Sequence, residues 1–155
     1  MKAAADKLGS TPSHGNPKSN SELNSELNNV ARNTDDCAKA RRLVAAGADL
    51  SSTNGPHWRH TPLHQAAFHG HTAIARLLIG AGADVNVAKR RGETPLHSTV
   101  YWGHREIAGL LIANGAVVNA KRENGQTPLD WAVQLGAEDM AEFFRSQGGK
   151  SWKEQ

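Results

Sequence analysis

The sequence predicts an all-α repeat architecture of four helix-turn-helix units, and two observations carry that prediction. Thr61-Pro62-Leu63-His64, Thr94-Pro95-Leu96-His97 and Thr127-Pro128-Leu129-Asp130 recur at one constant spacing, a period typical of repeat arrays. Behind each copy stands a glycine (Gly70, Gly103, Gly136), then an apolar triplet, then a second glycine. The triplets are Ile74, Leu77 and Leu78; Ile107, Leu110 and Leu111; and Met140, Phe143 and Phe144. All three fall at i, i+3 and i+4, which places them on one face of a helix.

In chain order, Ser, Asn, Pro, Gly and Lys dominate from Gly9 to Ser25, and apolar periodicity starts only with Leu23, Leu27 and Val30. Residues 1–20 are therefore expected to be a disordered tail, with the first helix starting near Ser21 and a repeat domain over 21–155. A unit at about 26–60 emerges when a short insertion is allowed and Ala40–Leu50 is aligned with Ala75–Val85. Lys39 and Arg42 stand there in place of Ile74 and Leu77, as suits an end unit with no neighbour on its outer side. In the units 61–93 and 94–126, the Thr hydroxyls can cap a helix and Pro fits its first position. Gly70 and Gly103 would end that helix in the left-handed conformation. Thr99 and Val100 replace the close-packing Ala66 and Ala67 of the previous copy, which predicts a looser contact. The unit 127–155 exchanges the motif His for Asp130 and carries Glu138, Asp139, Glu142 and Arg145, the polar face of a closing unit.

The stretches TPLHQAAFHGHTAIARLLIGAGADVN and TPLHSTVYWGHREIAGLLIANGAVVN resemble the ankyrin repeat in the TPLH opening, the Gly-His link and the GADVN-like close. The resemblance implies a β-turn and two antiparallel helices per repeat, stacked into a slightly curved solenoid of two full and two capping repeats. It also assigns His64 and His97 to hydrogen bonding between adjacent repeats. Asn86 and, less well, Asn119 are similar to the ankyrin asparagine that an oxygen-sensing hydroxylase modifies. In function, the resemblance implies non-catalytic protein binding through the concave face made by the turn tips and the ends of the first helices.

Composition narrows the chemistry. The 155 residues hold 18 Lys and Arg against 15 Asp and Glu, a formal charge of +3, and one cysteine. A single thiol, Cys37, excludes an intramolecular disulfide framework and a Cys-rich zinc site, and suits a reducing compartment. No apolar run approaches the ~18 residues of a membrane span. MKAAADKLGS lacks the apolar stretch of a secretory signal. A cytoplasmic monomer with no membrane contact is the resulting expectation.

Catalysis and cofactors are not expected. No Ser, Cys or Lys lies in a recognisable nucleophile motif, and no phosphate-cradling G-x-x-x-x-G-K-[ST] occurs. Asp35 and Asp36 beside Cys37 disfavour a thiolate. His57, His60, His64, His69 and His71 raise the question of a metal. The repeat already accounts for His64 and His71, and for His97 and His104 in the next copy.

The informative positions are those that the repeat leaves free. Along the tips these are Trp58, Arg59 and His60, then Lys89, Arg90 and Arg91, then Lys121 and Arg122. Along the helix ends they are Phe68 and His69, then Tyr101 and Trp102. Aromatic rings and arginines dominate binding hot spots, so a basic rim beside an aromatic strip is expected to take an acidic protein segment with a few apolar anchors. Nucleic acid would bind the same tips weakly and with strong salt dependence. Trp131, nearer the stack, is expected in the core.

Overall fold

A computed structural model describes residues 17–154; most of the expected tail lies outside the described residues. Among these, eight α-helices run in chain order: α1 Asn20–Asn33, α2 Cys37–Ala45, α3 Pro62–His69, α4 Thr72–Gly80, α5 Pro95–Ser98, α6 Arg105–Ala113, α7 Pro128–Gln134 and α8 Glu138–Ser146. They pair as α1/α2, α3/α4, α5/α6 and α7/α8, with no strand among the described residues, and stack as an all-α solenoid. No described helix is long and apolar enough to cross a membrane.

The first helix starts at Asn20, capped by Ser19, whose hydroxyl accepts from the Glu22 N–H while the Glu22 carboxylate takes the Ser19 N–H. Two of the four donors that a helix start leaves open are thereby satisfied.

The Thr-Pro-Leu-His starts combine capping with stacking. Nδ1 of His64 accepts from the Thr61 N–H at 3.3 Å, so the ring proton sits on Nε2, which donates to the Glu93 carbonyl of the next tip at 3.0 Å. His97 repeats the pattern, with Nδ1 on the Thr94 N–H at 3.2 Å and Nε2 on the Gln126 carbonyl at 3.4 Å. At the last unit among the described residues the equivalent position is Asp130. Its carboxylate accepts from Thr127, from the Ser151 hydroxyl at 2.7 Å and from the Trp152 N–H at 2.9 Å, tying down the C-terminal segment.

A second line of bonds runs along the helix links. His71 Nδ1 meets the Ala31 carbonyl at 2.9 Å and His104 Nε2 the Phe68 carbonyl at 3.1 Å. Gly70 is required twice over at this link. Its φ is +79°, and a Cβ there would lie 2.4 Å from the His104 ring. The motif asparagines close a third line: the Asn86 side chain bonds the Gly115 carbonyl and the Val117 N–H, and Asn119 bonds the Gly148 carbonyl and the Lys150 N–H.

Between these lines lies one aliphatic core containing Leu63, Leu96 and Leu129 from the first helices, and Ile74, Leu78, Ile107, Leu111, Met140 and Phe144 from the second. On α2, Ala40 and Leu43 are buried, while Lys39 and Arg42 face solvent and Lys39 pairs with Glu26 at 3.0 Å.

Repeat two departs from its neighbours in the length of its first helix, while Thr99 and Val100 are themselves fully buried. Helix α5 spans only four residues, and the buried Thr99 hydroxyl turns back onto the Leu96 carbonyl at 2.7 Å. Such back-bonding competes with the helical ladder. The chain goes on as turns, with Val100 N–H on His97 and Gly103 N–H on Val100. Tyr101 and Trp102 therefore sit on a turn rather than on a helix.

Candidate partner-binding site

Beneath the tips lies a cavity of about 330 Å³ lined by Trp58, His60, Phe68, Lys89, Arg90, Arg91, Glu93, Tyr101, Arg122 and Trp131. It draws on all four units. The turn before α3 supplies Trp58 and His60, and the end of α3 supplies Phe68. A 3₁₀ turn at Arg90–Gly92 carries the basic rim, the unwound turn after α5 carries Tyr101, and α7 contributes Trp131. The rings form a ladder across the units: Phe68 to Tyr101 at 5.1 Å and Tyr101 to Trp131 at 5.5 Å, the second edge to face.

The floor is charged, and here the structure corrects the reading of the tips. Lys89 and Arg122 are not exposed tip residues. Both embrace Glu93, Lys89 at 2.9 Å and Arg122 at 2.6 Å, and all three side chains are more than nine-tenths buried. Arg122 also lies over the Trp131 ring at 4.3 Å and bonds the Gln126 side chain at 3.1 Å. The physical reason is the stack: a long cation on one tip reaches back 29 residues under the preceding tip and meets a carboxylate there. Burial pushes the Glu93 carboxyl up, but the Lys89 hydrogen bond and the charges of Lys89 and Arg122 outweigh it and hold it below the usual value.

His60 is likewise half-buried. Its Nε2 accepts a hydrogen bond from the Lys89 ammonium at 3.0 Å, and burial together with the Lys89 charge lowers its pKa to about 4. The Tyr101 hydroxyl donates to Glu93 at 3.3 Å, and burial and that carboxylate raise its pKa to about 12.

Of the other expected residues, Trp102 is 69% exposed and does not line the cavity; it meets Phe68 edge to face at 6.3 Å and lines a groove with Arg105, Glu138 and Asp139. It is thus separated from Tyr101, its neighbour in sequence. His69, Arg59 and Lys121 are exposed and do not line the cavity. Arg59 and Arg91 share one peculiarity: they alone among the described non-glycine residues have positive φ, +53° and +68°.

Two residues of the site were not assigned to it from sequence. For Glu93, the position just before the Thr-Pro start, one tip ahead of Arg122, is the signal that could have found it. Trp131, expected in the core, is partly buried against it and also walls the cavity.

A larger concavity of about 750 Å³ lies between α1 and the turn at Thr53–Gly55. Its lining is Ser, Asn, Thr and charged residues with no aromatic ring, so an apolar anchor gains little there. Among the described residues no cluster of three or more His, Cys, Asp or Glu is placed to hold a metal. His64, His71, His97 and His104 instead serve the stack.

No curated protein matches the sequence significantly. A family model of ankyrin repeats, in three copies, matches residues 27–122 and again 81–153. With the capping histidines, the stacked helix pairs and the tips all in place, the chain belongs to the ankyrin-repeat family, whose members generally mediate protein–protein interaction and are typically non-catalytic.

Proposed function

We propose that this chain is a non-catalytic, monomeric, cytoplasmic binding module that holds an acidic protein segment against its tips and the ends of its first helices. The observation that carries this reading is where exposed cations stand beside aromatic rings. On the helices some cations engage carboxylates, Lys39 with Glu26, Arg76 with Glu106 and Arg145 with Glu138, and others, Arg32, Arg41, Arg42 and Arg105, enter none of the ion pairs among the described residues. On the tips, Arg59, Arg90, Arg91 and Lys121 are exposed and enter none of the ion pairs among the described residues. Two of them, Arg90 and Arg91, line the cavity walled by aromatic rings.

The mechanism is rigid presentation. Three lines of hydrogen bonds run between successive units, so little ordering remains to oppose association, and the unpaired cations steer an acidic partner at low ionic strength.

Because Lys89 is part of the buried floor, the charge test uses Arg90→Glu, Arg91→Glu and Lys121→Glu together. The triple variant is expected to keep the melting temperature of the parent and to slow association with acidic segments about tenfold or more at low salt, with less difference at high salt. An unchanged association rate would remove the electrostatic basis of the reading. Nucleic acid is the weaker second reading, favoured by the same aligned cations. Salt-sensitive capture of single-stranded DNA in preference to acidic peptides would support it.

A further inference from the structure

Resting on the acidic-partner reading, we infer that the cavity beneath the tips is an anchor pocket that takes one aromatic side chain of the segment, with the carboxylates flanking that ring meeting Arg90 and Arg91 at the mouth. The walls are aromatic, and the tilted and edge-to-face arrangement of Phe68, Tyr101 and Trp131 is the geometry into which a further ring packs. At about 330 Å³ the cavity lies at the small end of ligand pockets, room for one large side chain rather than a stretch of chain.

The sign of the charge then selects the neighbours of that ring. The lining holds four cations against the single carboxylate of Glu93, and Glu93 is already held by Lys89 and Arg122. An ammonium group entering the aromatic walls would find no free carboxylate and several positive charges. A neutral ring flanked by acids meets complementary charge instead. Successive bases of a nucleic acid need a row of stacking platforms, whereas this is one small cavity.

Two of the four buried side-chain atoms without a partner among the described residues also lie here. Arg122 Nε and Trp131 Nε1 are buried donors without a partner, and Arg91 on the rim is held at φ +68°. Unmet donors and left-handed side-chain-bearing residues both disfavour the fold. Their coincidence at one cavity fits a surface kept for binding.

The test uses three synthetic, end-blocked peptides of equal length: Glu and Asp flanking one Phe, the same with Ala for Phe, and Lys flanking one Phe. Binding is measured by calorimetry and by quenching of protein tryptophan fluorescence, against the parent and Trp58→Ala. Trp58 is 65% exposed, so its removal leaves the fold intact, and the melting temperature verifies this. The acidic Phe peptide is expected to bind the parent about thirtyfold more tightly than the acidic Ala peptide, the loss typical of a truncated anchor. In Trp58→Ala that ratio should fall to a few-fold. Equal, salt-sensitive binding of the two acidic peptides would overturn the pocket while leaving the acidic-partner reading in place. Preference for the Lys-flanked peptide, or no binding of the acidic Phe peptide at millimolar concentration, would overturn the pocket, and the first of these would overturn the acidic reading as well.

Discussion

Two successive tip junctions use the same register with different chemistry. At the first, Lys89 reaches back 29 residues to a neutral imidazole, His60; at the second, Arg122 reaches back 29 residues to a carboxylate, Glu93. The framework around them is the same, with a motif histidine bonding the next tip at 3.0 Å in one case and 3.4 Å in the other. The first junction carries the exposed Trp58 and a left-handed Arg59, where the second has Gly92 at the matching position of the next repeat. The framework thus sets which residues meet, while the free positions decide whether a junction is locked by buried charge or left open to solvent and ligand.

The largest effect should come from breaking the locked junction. Glu93→Ala leaves Lys89 and Arg122 buried without their counter-charge and is expected to destabilise the fold by about 3–5 kcal/mol, the range for breaking a buried pair from one side. Urea denaturation measures this. A loss no larger than that of an ordinary surface change, about 0.5 kcal/mol, would mean that the pair is solvated and the junction not locked.

Acid should act on both junctions at once. Free imidazoles protonate near 6.5, whereas burial keeps His60 and His97 neutral down to about 4 and His64 down to about 3. Between these values the unfolded chain binds more protons than the folded one. Stability is therefore whole above pH 6.5 and declines as the pH is lowered toward 4. His60→Gln keeps an acceptor for Lys89 and removes one of these titrations, so its melting temperature should fall less steeply over the same window. Parallel curves for parent and variant would show that His60 charges freely in the fold.

The smallest effect concerns backbone conformation. Arg59→Gly should stabilise by about 0.5–1 kcal/mol, since relief of the left-handed strain exceeds the added freedom of the unfolded chain. The reverse change on the next tip, Gly92→Ala, should destabilise by about 1–2 kcal/mol; its Cβ would also lie 3.1 Å from the Glu123 nitrogen. Thermal melts of both variants would show opposite shifts, and shifts of the same sign would contradict the equivalence of the two tips.

Much of the architecture was legible in the chain because it repeats. Thr61, Thr94 and Thr127 with their prolines, and the apolar triplets behind them, each satisfy local requirements that recur in register. The end units were legible for the converse reason, charged residues at positions where the inner units are apolar. The site was legible in its aromatic part and misread in its charged part. Exposure of Lys89 and Arg122 was inferred from their place on tips, but a long side chain can bury its charge wherever stacking brings an opposite one, and stacking distance is not a property of one unit. The divergence of Tyr101 and Trp102 likewise depends on how far α5 unwinds after Thr99.

The sequence alone determined the repeat, its period, the caps and the face on which variable residues gather, because each is a local rule applied again in every unit. The tertiary structure alone decided which of those residues face solvent. Glu93 meets Lys89 from its own tip and Arg122 from the next only after the units stack. That meeting turns two expected surface cations into the floor of an aromatic cavity and leaves Arg90 and Arg91 at its mouth.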